Sequence, residues 1–291
     1  MSFRTVVIEK SAKLDFSMGF LVVRQMETTR IHLSEISLLV IESTATSLTT
    51  ALLTELMKAK VKVVFCDEKR QPSSELLPYY GCHDCSGKLR TQIAWNQGIK
   101  ELVWSEIVSE KIRKQKEHLE LYGIPQAILL EDYLREVTIG DKTNREGHAA
   151  KEYFTGLFGE GFSRGKDCGI NAALNYGYGI LLSMFNREIV GNGYLTQIGI
   201  FHNNADNPFN LGSDLMEPFR IVVDIIVKRM MPEKFEHDEK EAILSMVKRE
   251  VVIDGRREFL PNAIKIFTRS VFGAINNNDV SEMKFCEQYE L

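Results

Sequence analysis

The side chains best suited to chemistry lie in the C-terminal half of the sequence, and the first of them is Glu146. This residue stands near the start of a predicted helix, after the polar turn 140–143. Ala150 and Tyr153, four and seven residues later, share its inward face. A carboxylate on an inward face is costly unless a metal ion or a buried cation compensates its charge. The alternative role for Glu146 is a helix cap or a surface glutamate.

His202 ends an apolar segment, residues 194–202 (YLTQIGIFH), and the polar loop 203–210 follows it. Neutral imidazole is a common metal donor, and a histidine at such an edge is well placed to act as one. A lone histidine in this position more often bonds to a loop carbonyl. Its interpretation therefore depends on the residues that lie near it.

Asp214, Glu217 and Arg220 recur at every third position directly after this loop. With Ser213 as the N-cap, they open a predicted helix and point roughly the same way. Asp214 alone is explained equally well as an acid at a helix start, which the helix dipole favours. Glu217 is harder to explain in this way because Pro218 follows it and frees a backbone carbonyl nearby.

Glu146, His202 and Glu217 together make a donor set that suits Mg²⁺ or Mn²⁺. Such an ion can polarise a phosphodiester and lower the pKa of an attacking hydroxyl. The pattern therefore predicts phosphoryl transfer, with these three residues as catalytic metal ligands. The sequence contains no P-loop or HExxH string that would favour another template.

Composition indicates a globular protein: 291 residues, 44% hydrophobic and 26% charged. The N-terminal sequence lacks the apolar stretch of a signal peptide, and no uninterrupted apolar run exceeds four residues. We therefore expect a protein of the bacterial cytoplasm that does not bind membranes.

The net charge of −4 does not by itself favour a nucleic-acid-binding protein. Basic residues nevertheless cluster locally at 111–116, 164–166, 228–229, 248–249 and 256–257. Such clusters are usually solvated helix faces. They would form a phosphate-binding track only if the fold placed them on one surface.

The five cysteines are an odd number in a large chain, which fits a reducing compartment better than a disulfide framework. Cys82 and Cys85 form a single C-x-x-C. A structural zinc ion needs four ligands, and no second pair stands at finger spacing. Free thiols in a polar loop are the preferred interpretation.

The hydrophobic pattern predicts an α+β chain that begins with a small N-terminal β-rich domain, residues 1–74. The predicted strands are 5–8, 20–24, 31–33, 38–41 and 61–66. A helix over 47–57 lies between the last two and indicates a strand, helix, strand crossover.

A turn-rich segment, residues 75–90, is predicted to be a linker, and a larger all-α catalytic domain is predicted over 91–291. Its helical segments are 89–121, 127–137, 144–158, 170–185, 213–230, 239–250 and 261–275. The first of these begins within the last two residues of the linker.

Five strings follow one another along the chain: 144–154 (NREGHAAKEYF), 171–178 (NAALNYGY), 199–202 (GIFH), 214–220 (DLMEPFR) and 254–257 (DGRR). In order and spacing they resemble the CRISPR-associated adaptation integrases, the subunits that insert new spacers into a CRISPR array, and their sequences are most similar to the type II-A branch. One departure is Cys82-His-Asp-Cys85, where serines are equally expected, which argues further against a zinc site.

The resemblance implies an N-terminal β-domain that forms a homodimer, and a helical domain with Glu146, His202 and Glu217 as metal ligands. Asp214 matches a supporting acid of the motif. The family works as two dimers bridged by a dimer of a small ferredoxin-like partner, in a heterohexamer. This assembly binds double-stranded DNA, the prespacer and the CRISPR repeat, and other type II-A adaptation proteins are expected as further partners.

Three functions are consistent with this resemblance: a DNA integrase and metal-dependent nuclease, a catalytically silent DNA-binding assembly subunit, and a stand-alone repair nuclease. The intact set of acids and histidine counts against the second. Arg145, Arg220 and Lys151 are the cations expected to meet DNA, and Arg220 is also expected to orient a ligand carboxylate. For both arginines the alternative is a purely structural ion pair.

Overall fold

The computed structural model describes residues 4–78 and 84–289. The chain forms two compact units, Met1–Tyr79 and Tyr80–Leu291. The first is rich in strands and the second is mainly helical, which confirms the predicted α+β class. Helix α2 begins at Cys85, within the segment 75–90 predicted as a linker. Cys82 lies outside the described residues.

Over residues 4–78, the first unit contains two four-stranded sheets and one α-helix. One sheet has the strand order β1-β5-β7-β8 and the other β4-β3-β2-β6. The elements are β1 Arg4–Ile8, β2 Lys13–Ser17, β3 Phe20–Arg24, β4 Thr28–His32, β5 Ile36–Ile41, β6 Ser47–Leu48, α1 Thr50–Lys58, β7 Lys62–Cys66 and β8 Pro72–Glu75.

The crossover predicted in this unit is present, since β5 and β7 pair in parallel and α1 connects them along the chain. Thr49 caps α1 by accepting a hydrogen bond from the backbone N–H of Leu52. Leu39, Leu52 and Val63 are fully buried and belong to one apolar core. Strands β2, β6 and β8 were not predicted: β6 lies at the start of the segment 47–57 that was predicted as a helix, and β8 consists mainly of polar residues.

The second unit packs its helices around α3 and α6. Its elements are α2 Cys85–Ile93, α3 Gln97–Leu121, α4 Ala127–Arg135, α5 Arg145–Phe158, α6 Gly169–Gly191, α7 Asn210–Met216, α8 Arg220–Met230, α9 His237–Leu244, β9 Glu250–Ile253, β10 Arg256–Phe259, α10 Leu260–Asn277 and β11 Cys286–Tyr289. No helix among the described residues has both the length and the apolar character of a membrane span.

Two predicted helices are each divided in the structure. The segment 89–121 breaks between α2 and α3, where Asn96 caps the new helix by accepting from the N–H of Gly98. The segment 213–230 divides into α7, a 3-10 turn over Glu217–Phe219, and α8. Pro218 lies inside that turn, and its ring and missing N–H prevent a continuous α-helix.

The second unit is not all-α, because it contains a three-stranded antiparallel sheet of order β10-β9-β11. The helix predicted over 239–250 was too long: α9 ends at Leu244, a 3-10 turn follows, and β9 begins at Glu250. Asp254 and Gly255 connect β9 to β10 with positive φ angles of 55° and 66°. Two such residues in succession are typical of a two-residue hairpin turn.

Candidate active site

Glu146 lies in the first turn of α5, and Asp141 holds that turn in place. The buried Asp141 accepts hydrogen bonds from the backbone N–H groups of Arg145 at 2.8 Å and Glu146 at 3.0 Å. Asn144, the residue before the helix, has a left-handed φ of 52° and caps nothing with its side chain. Asp141 therefore acts as the capping residue of α5, a role that the sequence pattern does not predict.

Lys111 projects from the middle of α3 and contacts two of the predicted metal ligands. Its Nζ lies 2.6 Å from Glu146 Oε1 and 2.5 Å from Glu217 Oε2. Burial lowers the pKa of Lys111, but the charges of Glu217 and Glu146 outweigh burial and raise it overall. Glu146 and Glu217 therefore meet at a single positive charge.

Glu217 is almost completely buried and is held by two cations. Arg220 Nη2 lies 2.8 Å from its Oε1, and Lys111 contacts its other oxygen. Burial alone would raise the pKa of Glu217, but Arg220 and Lys111 lower it to about 2. Arg220 also lies over the ring of Tyr178, with its guanidinium carbon 4.7 Å from the ring centroid. Arg220 thus orients Glu217 by an ion pair.

His202 and Asp214 form the other side of the site. Asp214 is fully buried and accepts from the backbone N–H groups of Ile200, Phe201 and His202 at 2.6, 3.1 and 3.0 Å. His202 Nδ1 lies 2.6 Å from Asp214 Oδ1. A Cβ atom on Gly199 would lie 2.7 Å from Asp214 Oδ2, so this loop conformation requires glycine.

The hydrogen bond from Nδ1 fixes the tautomer of His202. Because Asp214 accepts that proton, the lone pair of the neutral ring lies on Nε2, which is the nitrogen that could bind a metal ion. The same hydrogen bond raises the pKa of His202 by more than partial burial lowers it, and the charges of Glu217 and Glu146 add to the rise. The structure places Asp214 against His202, and its supporting role in the site stays a prediction.

Two aromatic rings support the imidazole. Trp104 of α3 stacks on Phe201 with ring centroids 4.4 Å apart and planes within 2°. The His202 ring lies nearly perpendicular to both, at 5.6 Å from Trp104 and 5.7 Å from Phe201. Trp104 is buried, whereas 49% of Phe201 is exposed. The local sequence pattern does not predict this pair.

A chain of buried polar groups lies behind Arg220. The Tyr178 hydroxyl donates to Asp224, and the Tyr153 hydroxyl lies 2.7 Å from His118 Nδ1. Burial raises the pKa of Asp224 to about 6, although its bonds with Tyr178 and Tyr153 lower it. Burial, followed by the charges of Lys228 and Arg229, lowers the pKa of His118 to about 4. This chain connects α3, α5, α6 and α8.

The three cations expected to meet DNA lie in different environments. Arg145 pairs with Glu136 at 3.0 Å and lies 5.7 Å from the centroid of the Tyr133 ring. Arg220 is committed to Glu217, as described above. Lys151 is exposed on α5. Their contacts with DNA stay a prediction, and Lys151 has the greatest freedom to make one.

The donor chemistry of the site fits a divalent cation. Across residues 4–78 and 84–289, no three His, Cys, Asp or Glu side chains already lie together in a metal-binding arrangement. At this place the Lys111 ammonium contacts the carboxylates. Glu146 and Glu217 nevertheless offer hard oxygen atoms and His202 offers Nε2, which is a suitable set for Mg²⁺ or Mn²⁺.

The chain belongs to the family described as CRISPR associated protein Cas1, which matches residues 5–256. It is 34% identical over 229 residues to a CRISPR-associated endonuclease Cas1 of Neisseria meningitidis, covering 78% of this chain and 75% of that protein. A Cas1 endonuclease of Pyrobaculum aerophilum is 26% identical over 245 residues, covering 78% and 82%.

Solved structures share the fold. A casposase bound to its integration product has a TM-score of 0.81 at 18% identity, covering 95% of this chain and 92% of that one. A Cas1 protein from Thermotoga maritima has a TM-score of 0.75 at 16% identity, covering 93% and 97%. A chain of a Cas6-RT-Cas1–Cas2 complex has a TM-score of 0.77 at 16% identity, covering 99% of this chain and 36% of that one.

Proposed function

We propose that this chain is the integrase of CRISPR adaptation, a metal-dependent DNA endonuclease and integrase. It joins the 3′-hydroxyl ends of a short prespacer duplex to the CRISPR repeat by transesterification. The observation that carries the proposal is the meeting of Glu146 and Glu217 at one cation, beside an imidazole whose Nδ1 is bound to Asp214. Membership of the Cas1 family supports the same function.

Glu146, Glu217 and His202 Nε2 would hold Mg²⁺ or Mn²⁺, which when bound polarises the phosphodiester and makes the attacking hydroxyl more acidic. Asp214 keeps the His202 ring oriented, and Arg220 keeps Glu217 ionised. The contribution of the protein to phosphoryl transfer is mainly positioning and charge neutralisation.

The reaction exchanges one phosphodiester for another. The prespacer 3′ oxygen forms a bond to phosphorus and loses its proton, while the bond from that phosphorus to the repeat 3′ oxygen breaks. The departing oxygen takes up a proton, so atoms and charge balance without a separate energy source. Endonuclease activity is the same displacement with water as the nucleophile.

Double-stranded DNA, a second copy of the chain and a small ferredoxin-like subunit are the proposed partners. The resemblance to the adaptation integrases supports this heterohexamer, in which two dimers flank a dimer of the small subunit. The fold relative in a Cas6-RT-Cas1–Cas2 complex supports a partner of this kind. The first unit, with its two sheets, is the proposed dimerisation domain.

A joining assay tests the function directly. The full chain and its partner subunit are incubated with Mn²⁺, a labelled short duplex and a supercoiled plasmid that carries a repeat. The proposal expects labelled plasmid with the new junctions at the repeat borders. Cleavage without joining would instead support the stand-alone nuclease, and binding without either reaction would support a silent assembly subunit.

A further inference from the structure

Lys111 differs from the other basic residues of its run. Residues 111–116 of α3 contain four basic side chains. Arg113, Lys114 and Lys116 each pair with an acid on α3 itself, and Lys116 also pairs with Glu131 of α4. Lys111 instead pairs with two acids on other elements, Glu146 on α5 and Glu217 in the 3-10 turn. It therefore belongs to the candidate active site rather than to a solvated helix face.

The geometry places its ammonium between two carboxylates. Only 10% of the Lys111 side chain and 4% of the Glu217 side chain are exposed. Two carboxylates brought together away from water repel each other, and an ammonium in contact with both removes most of that repulsion. The same two oxygens, Glu146 Oε1 and Glu217 Oε2, are the hard donors that a divalent cation would use.

We propose that Lys111 is a further positioning residue of this site: its ammonium holds Glu146 and Glu217 together and competes with a divalent cation for their oxygens. The inference rests on the proposed function, because it concerns the same carboxylates. The inference predicts opposite changes in two quantities, the stability without divalent ions and the affinity for a divalent ion. Loss of a merely structural lysine would lower both. Loss of the ammonium destabilises the protein in the absence of divalent ions, yet tightens the binding of a divalent ion.

The test compares the wild-type protein with Lys111→Met, Lys111→Arg and the exposed control Lys142→Met. Melting in EDTA and calorimetric titration with Mn²⁺ are measured on each, with Glu146→Gln defining which Mn²⁺ binding belongs to this site. Lys111→Met is expected to melt at a lower temperature in EDTA and to bind Mn²⁺ about tenfold more tightly. Lys111→Arg retains the charge and wild-type affinity, and Lys142→Met changes neither quantity.

A paired variant keeps the test decisive if Lys111→Met does not fold. Lys111→Met combined with Glu146→Gln removes one positive and one negative charge, so it should fold and melt near the wild type in EDTA. Failure of this pair to fold would overturn the inference. So would unchanged or weaker Mn²⁺ binding by Lys111→Met when the wild type binds at a site that depends on Glu146. If the wild type shows no such binding, the proposed function fails together with the inference.

Discussion

His202 Nδ1 lies 2.6 Å from Asp214 Oδ1, and the same carboxylate accepts from three consecutive backbone N–H groups. One buried acid therefore fixes both the ring and the loop that carries it. The oxygens of Asp214 are committed to these donors, so the proposed metal ligands are Glu146, Glu217 and the other nitrogen of His202. This contact explains why the 214–220 motif contains a second acid, Asp214, which is not one of the proposed metal ligands.

Replacing Asp214 by Asn should slow joining by about 10–100-fold, because an amide cannot hold the imidazole and three N–H groups as the carboxylate does. The Mn²⁺ affinity should weaken in parallel, while DNA-duplex affinity stays close to wild type. Asp206→Asn, on the exposed part of the same loop, is the matched control. Equal joining rates for Asp214→Asn and wild type would show that the carboxylate does not orient His202.

Replacement of Arg220 by Gln and replacement of Lys151 by Gln should affect different quantities, the joining rate and the duplex affinity respectively. Arg220 is committed to Glu217, so Arg220→Gln should reduce the joining rate and leave duplex affinity largely intact. Lys151 is exposed, so Lys151→Gln should weaken duplex binding and reduce the salt dependence by about one unit of slope. Duplex affinity at several salt concentrations, measured beside the joining rate, checks both. Identical profiles for the two variants would contradict these roles.

Arg145→Gln should lie closer to the wild type in both assays, because the guanidinium already pairs with Glu136. A loss of duplex affinity comparable with that of Lys151→Gln would show that Arg145 leaves this pair to meet DNA. The comparison therefore tests the alternative, a purely structural ion pair, at one of the two arginines singled out from the sequence.

Stability should depend on pH through His118, whose pKa falls from 6.5 to about 4 on folding because the ring is buried. Between these values the unfolded chain binds a proton that the folded chain does not. The stabilisation is therefore complete above pH 6.5 and is lost as pH falls toward 4. Urea unfolding should show that His118→Gln removes about 2 kcal/mol of the stability difference between pH 7 and pH 4.5.

Asp224 has the opposite effect on the pH dependence of stability, so its contribution must be distinguished from that of His118. Its pKa rises from 3.8 to about 6 on folding, so its protonation favours the folded chain as pH falls through that range. The wild-type curve contains both contributions, and the difference between wild type and His118→Gln isolates one. The exposed His148→Gln serves as control. Parallel curves for wild type and His118→Gln would contradict the buried, neutral state of this ring.

The full chain should form a homodimer through its first unit, since short strands at sheet edges readily find a symmetric partner. Light scattering at micromolar concentration should give twice the chain mass of 33.2 kDa. Hydrogen exchange compared above and below the dissociation concentration should change within residues 4–78. A monodisperse monomer, or protection confined to the second unit, would contradict this interface.

The sequence predicted the elements that have a strong local pattern. The β5, α1, β7 crossover followed from β-branched runs around a helix with apolar residues at helical spacing. The three-stranded sheet was missed, although Asp254-Gly255 is a strong hairpin signal between its first two strands. The helical spacing before it, which ends in a 3-10 turn, favoured a continued helix instead.

The site was predicted in part for a similar reason. Glu146, His202 and Glu217 stood out because each is an unusual residue for its local pattern. Lys111 did not, because a basic residue within a basic run is usually solvated, and its two partners lie 35 and 106 residues away in sequence. Asp141 was missed because Asn144 is the better local candidate for a cap, and only the backbone conformation shows that Asn144 does not act as one.

The most direct test of the central claim is the joining rate of Glu146→Ala and His202→Ala in the plasmid assay with Mn²⁺ and the partner subunit. Glu160→Ala, an exposed acid just beyond the end of α5, is the matched control. We predict that both site variants fall to the background rate, while their duplex affinity stays close to wild type and the control joins normally. Wild-type joining by either site variant would contradict the assignment of this active site.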